Sequence, residues 1–282
     1  MTRSAPDSAS DSAPSVRPAA VAGMFYPGSA AALTRELRVL LERATPPAGP
    51  PPKAIIAPHA GYIYSGPVAA SVYAPLASRR GIVRRVILLG PTHRVAVAGL
   101  ALPAAGAFAT PLGTAPVDGD AAATVAQLPQ VAVSEEAHAF EHSLEVHLPF
   151  LQTVLADFTV LPLAVGRATA AQVADVLDRV WGGDETLLVV SSDLSHYLPY
   201  AAARATDEAT ARRILALDPR IDHREACGAT PINGLLLAAG RHGLRARLVD
   251  LRNSGDTAGD KSRVVGYGAF TFSATGAGDA VH

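Results

Sequence analysis

The chain has 282 residues, 49% of them apolar, with Lys+Arg 24 against Asp+Glu 25 and a formal charge of −1. That length and composition suit one large α/β domain with a sizeable core, and the charge balance offers no basic surplus for nucleic acid or an anionic membrane. No apolar run reaches the ~18 residues of a membrane span, MTRSAPDSASDSAPSVRP lacks the apolar stretch of a signal peptide, so the cytoplasm is the expected location, and the lone Cys227 has no partner for an intrachain disulfide.

Residues 1–18 hold almost nothing large and apolar and read as a disordered tail, with structure expected from about Val21. A helix is expected over Ala30–Glu42, then a proline-rich loop (44–53), a strand at Ala54–Ala57, a helix at Pro67–Leu76 and a strand at Val86–Leu89. Segment 99–118 reads as irregular strands or a hairpin. Helices follow at Gly119–Gln127 and Ser143–Ala156, although Pro149 fits a first turn better than an interior and argues for a later start. Next come a strand at Phe158–Ala164, a helix at Ala170–Val180, a strand at Leu187–Ser191, helices at Ala201–Leu217 and Ile232–Arg241, and strands at Ala246–Leu251 and Val264–Phe272. Residues 275–282 read as a second tail. Continuous apolar strands imply burial on both faces. Their alternation with helices implies a single three-layer α/β domain over 20–274, with a central mostly parallel or mixed sheet flanked by helices.

Two strands end alike: IIAPHAGY puts His59 just past Ala57, and VILLGPTH puts His93 just past Leu89. Open α/β sheets bind ligands beyond the carboxyl ends of their strands. Imidazole is the commonest protein metal ligand and the usual acid/base near neutral pH. A proline precedes each histidine and stiffens its loop. The alternative is that each histidine caps a strand through hydrogen bonds. A third strand runs out into SSDLSH, where Asp193 and His196, three apart, share a face on a helical turn. That pairing suits a general acid/base, or Asp193 is a helix N-cap. The stretch EEAHAFEHSLEVHLPF (135–150) is either a cleft wall or a charged, solvated face, and it lacks the HExxH zinc spacing. Cys227, before a turn into a helix, is either a small buried hydrophobe or a thiolate of lowered pKa able to bind metal or attack an electrophile. Two histidines and one thiolate would make a three-ligand site with an open position. Neither GxGxxG after a strand, GxxxxGK[ST] nor GxSxG occurs.

Taken together, AGMFYPG (22–28), IIAPHAGYIYSG (55–66), ILLGPTHRV (87–95), TPLG (110–113), EHSLEVHLPFL (141–151), SSDLSH (191–196) and CGATPI (227–232) resemble the Memo family, known in bacteria as AmmeMemoRadiSam system protein B. The resemblance covers residues 20–272. It implies the fold of the class III (LigB-type) extradiol dioxygenases, which hold nonhaem iron(II) with two histidines and a glutamate. Carried over by motif, the metal ligands are His59, His93 and Cys227. The acid/base is His196 with Asp193 beside it, and His142, Glu145, His147 and Tyr62 line the cleft. Cysteine stands where the dioxygenases have a carboxylate. A thiolate is softer and admits copper(I) or zinc more readily than the 2-His-1-carboxylate set.

Three functions compete. The first is a metal-dependent redox enzyme, dioxygenase-like, using iron(II) or copper on an unknown small molecule. The second is a non-catalytic module that binds a peptide or partner protein in the same cleft. The family name implies an AMMECR-type protein and a radical SAM enzyme as partners. The third is a zinc-dependent hydrolase.

Overall fold

The computed structural model describes residues 15–45 and 49–274. Twelve strands are described: β1 (Val16–Arg17), β2 (Ala54–Ala57), β3 (Arg85–Pro91), β4 (Leu100–Leu102), β5 (Ala107–Thr110), β6 (Gly113–Pro116), β7 (Val131–Val133), β8 (Thr159–Val165), β9 (Thr186–Ser191), β10 (His196–Leu198), β11 (Leu244–Asn253) and β12 (Val264–Ala274). The helices are α1 (Ala30–Arg43), α2 (Tyr62–Tyr73), α3 (Gly119–Val125), α4 (Glu135–Ala139), α5 (Leu148–Val154), α6 (Ala170–Arg179), α7 (Tyr200–Leu215), α8 (Ala229–Arg241) and α9 (Ser254–Thr257).

The main sheet has nine strands in the order β10-β12-β2-β9-β3-β8-β4-β7, with β11 also on β12. Its centre, β2-β9-β3-β8, is parallel. The strands β4 and β12 run antiparallel to their inner neighbours, which makes the sheet mixed. Every residue of β2 and β9 is buried because both faces are covered. Alternate residues supply opposite cores. Ile55, Val86, Leu88 and Val189 pack with Leu33, Tyr73 and Phe150 of α1, α2 and α5, while Ile56, Ile87, Leu89 and Val190 pack with Val173, Leu177 and Leu235 of α6 and α8. This is the α/β architecture of helices on both sides of one sheet that the alternation of elements implies.

Several boundaries differ from expectation, each for a physical reason. Of the expected tail 1–18, residues 1–14 lie outside the described residues, as does all of 275–282. Val16–Arg17, by contrast, pair with β5 and Arg17 is buried. The hairpin expected within 99–118 is β5–β6. The helix expected at Pro67 starts at Tyr62 and carries Pro67 inside it. Its first turn is secured independently, with Tyr62 N–H on Phe25 O at 2.7 Å and Ser65 N–H on Gly61 O at 3.0 Å. The helix expected at Ser143–Ala156 shortens to a 3-10 turn at Glu145–His147 followed by α5, which has Pro149 in its first turn. No helical turn joins Asp193 to His196: residues 192–195 are loop, and β10 begins at His196.

Candidate functional site

The strand order explains why the two strand-end histidines meet. Among the adjacent parallel strands, β2 and β9 end level and β3 runs one residue further, and His59, Asp193 and His93 each follow two residues beyond their strand's last residue. A third imidazole, His142, comes from the loop before the 3-10 turn. Ring centroids lie 5.1 Å apart for His59–His93, 5.4 Å for His59–His142 and 4.6 Å for His93–His142. One ring nitrogen of each lies within 4.8 Å of the others. All three line a cavity of ≈ 650 Å³ together with Phe25, Tyr64, Asp193, His196, Tyr267 and Arg263.

The hydrogen bonds fix which nitrogens are free. Ser191 Oγ donates its single proton to Ser143 O at 2.6 Å, so it accepts from His59 Nδ1–H at 2.7 Å. Nε2 of His59 therefore keeps its lone pair. His93 Nδ1 lies 2.8 Å from Glu141 Oε1. Burial pushes the Glu141 carboxyl up, but bonds from His93 and from the His93 and Ser143 backbone outweigh it and hold the group down at about 2. Glu141 is thus a carboxylate accepting His93 Nδ1–H, which frees Nε2 there too. Carboxylate and hydroxyl partners of this kind orient metal-ligating imidazoles. We expect Glu141→Gln to weaken metal binding ~10–100-fold, read by competition with a chromophoric chelator; an unchanged affinity would remove Glu141 from the site.

Burial, then the neighbouring imidazoles, pushes His59 well below its ordinary range, and burial holds His142 down at about 4 despite Glu141. Both rings are neutral at pH 7. Asp193 is pushed up to about 7 by burial, against the pull of the His59 and Ala60 N–H groups, the former donating to Oδ1 at 2.7 Å. The N-cap role expected for Asp193 is replaced by this bond. His196 donates Nδ1–H to Leu194 O at 2.8 Å, and burial lowers its pKa.

Cys227 sits two residues before α8, with its Sγ 3.3 Å from His59 Nε2. Its pKa is raised, not lowered as a position before a helix suggested. Burial and the nearby Asp193 carboxyl push it up to about 12. The neutral thiol donates S–H to the His59 lone pair, and thiolate formation needs a cation against the sulfur.

The other residues expected at the cleft lie beneath it. Glu145, fully buried, binds Arg17 Nη1, Ala20 N at 2.7 Å, Val21 N at 3.0 Å and Tyr26 Oη at 2.6 Å. It fastens the segment that carries Phe25. His147 is buried, 2.8 Å from Tyr73 Oη. Tyr62 donates its hydroxyl to Val146 O at 2.7 Å. The roles of Glu141 and Ser191 had no sequence signal, since their partners are 48 and 132 residues away.

Fold and site define an α/β protein with a histidine-lined cavity, fit to hold a metal ion, at the carboxyl ends of its central strands. Residues 17–271 match the family described as Memo-like protein, and the chain belongs to that family. It is 37% identical over 273 residues to a MEMO1 family protein of Methanothermobacter thermautotrophicus, covering 89% of this chain and 98% of that one. It is 38% identical over 264 residues to one of Aquifex aeolicus, covering 89% and 97%. Among solved structures, the uncharacterized protein JW3007 of Escherichia coli K12 is similar in fold, with a TM-score of 0.50 at 14% identity over 77% of this chain and 98% of that chain. No helix among the described residues is long and apolar enough to cross a membrane.

Proposed function

We propose that the cavity is the mononuclear metal centre of a cytoplasmic, metal-dependent oxidoreductase of dioxygenase-like type, with iron(II) or copper as its ion and a small molecule as its substrate. The observation that carries this reading is the meeting of His59, His93 and His142 with the Nδ1 atoms of the first two already committed to Ser191 and Glu141. Imidazoles oriented in this way suit iron, copper or zinc. His59 and His93 serve in any ligand set. The third donor is His142 or Cys227, both adjacent to His59.

When bound, such an ion supplies Lewis-acid and redox chemistry to whatever lies in the open position. The protein's own part is positional. Phe25, Tyr64 and Tyr267 line the cavity with aromatic faces suited to a flat substrate. His196, with Nε2 free, takes or returns a proton at the substrate. Asp193, poised near neutrality beside His59, is a second proton store.

X-ray absorption on iron- and copper-loaded protein, with oxygen uptake followed in parallel, tests this reading. A single-ion centre with histidine nitrogen neighbours and substrate-dependent oxygen uptake is the expected result. One sulfur neighbour near ~2.3 Å, lost in Cys227→Ser and kept in His142→Ala, makes Cys227 the third ligand. A nitrogen-only shell altered in His142→Ala makes it His142. Zinc retained alone, without oxygen uptake, would move the function to hydrolysis.

A second reading has its own support. Met24, Ile63, Tyr64 and Tyr197 are exposed large apolar side chains beside or on the cavity wall, the kind of rim that takes a peptide or a partner protein. The family name points to an AMMECR-type protein and a radical SAM enzyme. A complex with either that survives chelation would favour a binding module over an enzyme.

A further inference from the structure

Helix α7 packs against β11 and β12 and carries inside that contact a carboxyl that lies outside the cavity wall. Asp207 is 2% exposed, and burial raises its pKa to about 6 against the pull of its bond from Ser195. A buried carboxyl facing a sheet is costly unless its acceptor capacity is needed there. Its Oδ1 accepts Ser195 N–H at 3.0 Å. The room for it comes from β12: a Cβ on Gly266 would lie 2.0 Å from Asp207 Oδ2.

The same Gly266 grips the same loop. Its carbonyl accepts Leu194 N–H at 2.8 Å, and its N–H donates to Ser195 O at 2.8 Å. Leu194 and Ser195 are therefore held by three hydrogen bonds from two elements. On one side of them stands Asp193, bonded to His59 N. On the other stands His196, whose tautomer is set by its bond to Leu194 O. The next residue, Tyr197, takes φ of 59°, a left-handed conformation costly for an aromatic residue, and the pairing of β10 with β12 slips between His196 and Leu198. Strain of this kind persists only where the surroundings over-determine the backbone.

We propose that Asp207 is a positioning residue for this loop: seated in the space left by Gly266, its carboxyl oxygen holds Ser195 so that Leu194 O keeps the cavity-lining His196 ring in one tautomer, with Nε2 free. The proposal rests on the reading of His196 as the group that moves a proton. Its content is the hydrogen bond and not the charge, so an amide oxygen serves as well as a carboxylate.

The test is nitrogen-15 NMR of the histidine rings in the full-length, chelator-treated protein, with His196 assigned by its absence in His196→Gln. The neutral wild-type ring reads Nδ1 protonated and Nε2 bare, and Asp207→Asn keeps that pattern. Asp207→Ala shifts the two His196 nitrogens toward a tautomer average while the His59 pattern stays. An unchanged His196 in Asp207→Ala overturns the proposal, and so does a change in Asp207→Asn as large as in the alanine variant. If Asp207→Ala is unfolded by circular dichroism, Asp207→Leu, which fills the same space without an acceptor, is read in its place: an averaged His196 supports the proposal and an unchanged one overturns it. No metal enters the sample, so failure here and failure of the metal-centre reading are separate results.

Discussion

Glu145→Ala is expected to lower the unfolding free energy by about 3–5 kcal/mol, the range for removing one partner of a buried ion pair. The wild-type carboxylate is fully buried against Arg17, itself 6% exposed, and accepts from two backbone N–H groups and the Tyr26 hydroxyl as well. Taking it away strands a guanidinium in the interior together with three unsatisfied donors. Urea unfolding reads the loss as a fall in the midpoint at constant slope. Arg17→Met added to Glu145→Ala should recover part of the loss, because the stranded charge is then gone. A loss under about 1 kcal/mol would place this cluster with weakly coupled surface pairs.

His59→Ala is expected to bring retained metal down to background after dialysis. His59 is 2% exposed and touches both candidate third ligands, so its removal leaves neither possible set complete. Ser191→Ala removes the hydroxyl that sets the His59 tautomer and that also bonds Ser143 O, next to His142, and should weaken affinity ~10–100-fold. The two variants thus form a graded pair, read by elemental analysis and chelator competition. Equal retention in His59→Ala and wild type would remove this histidine from any centre.

Much of the fold was legible because the chemistry of the strands is blunt. Runs such as Ala54–Ala57 and Leu187–Val190 are apolar throughout, as strands covered on both faces must be. The strand-end histidines could be noticed for the same reason, since each interrupts such a run at its carboxyl end. The order of the strands was not legible, and that order brings His59, Asp193 and His93 to one place. Pairings that act at long range were hidden as well. Glu141 reaches His93 across 48 residues, and Glu145 reaches Arg17 across 128, into a stretch whose Ser, Ala and Pro content reads as a tail. Pro67 misplaced the start of α2 because a helix tolerates one missing N–H when its first turn is anchored elsewhere, here by Phe25 O. Cys227 read as either a small buried hydrophobe or an activated thiolate; burial, which raises its pKa, is a tertiary property.

The measurement that bears most directly on the metal centre is the metal content of the wild-type protein, purified without oxygen and dialysed gently. Near-stoichiometric iron or copper, or its uptake on reconstitution at one ion per chain, is expected. Protein that carries no metal and takes up neither iron, copper nor zinc would contradict it.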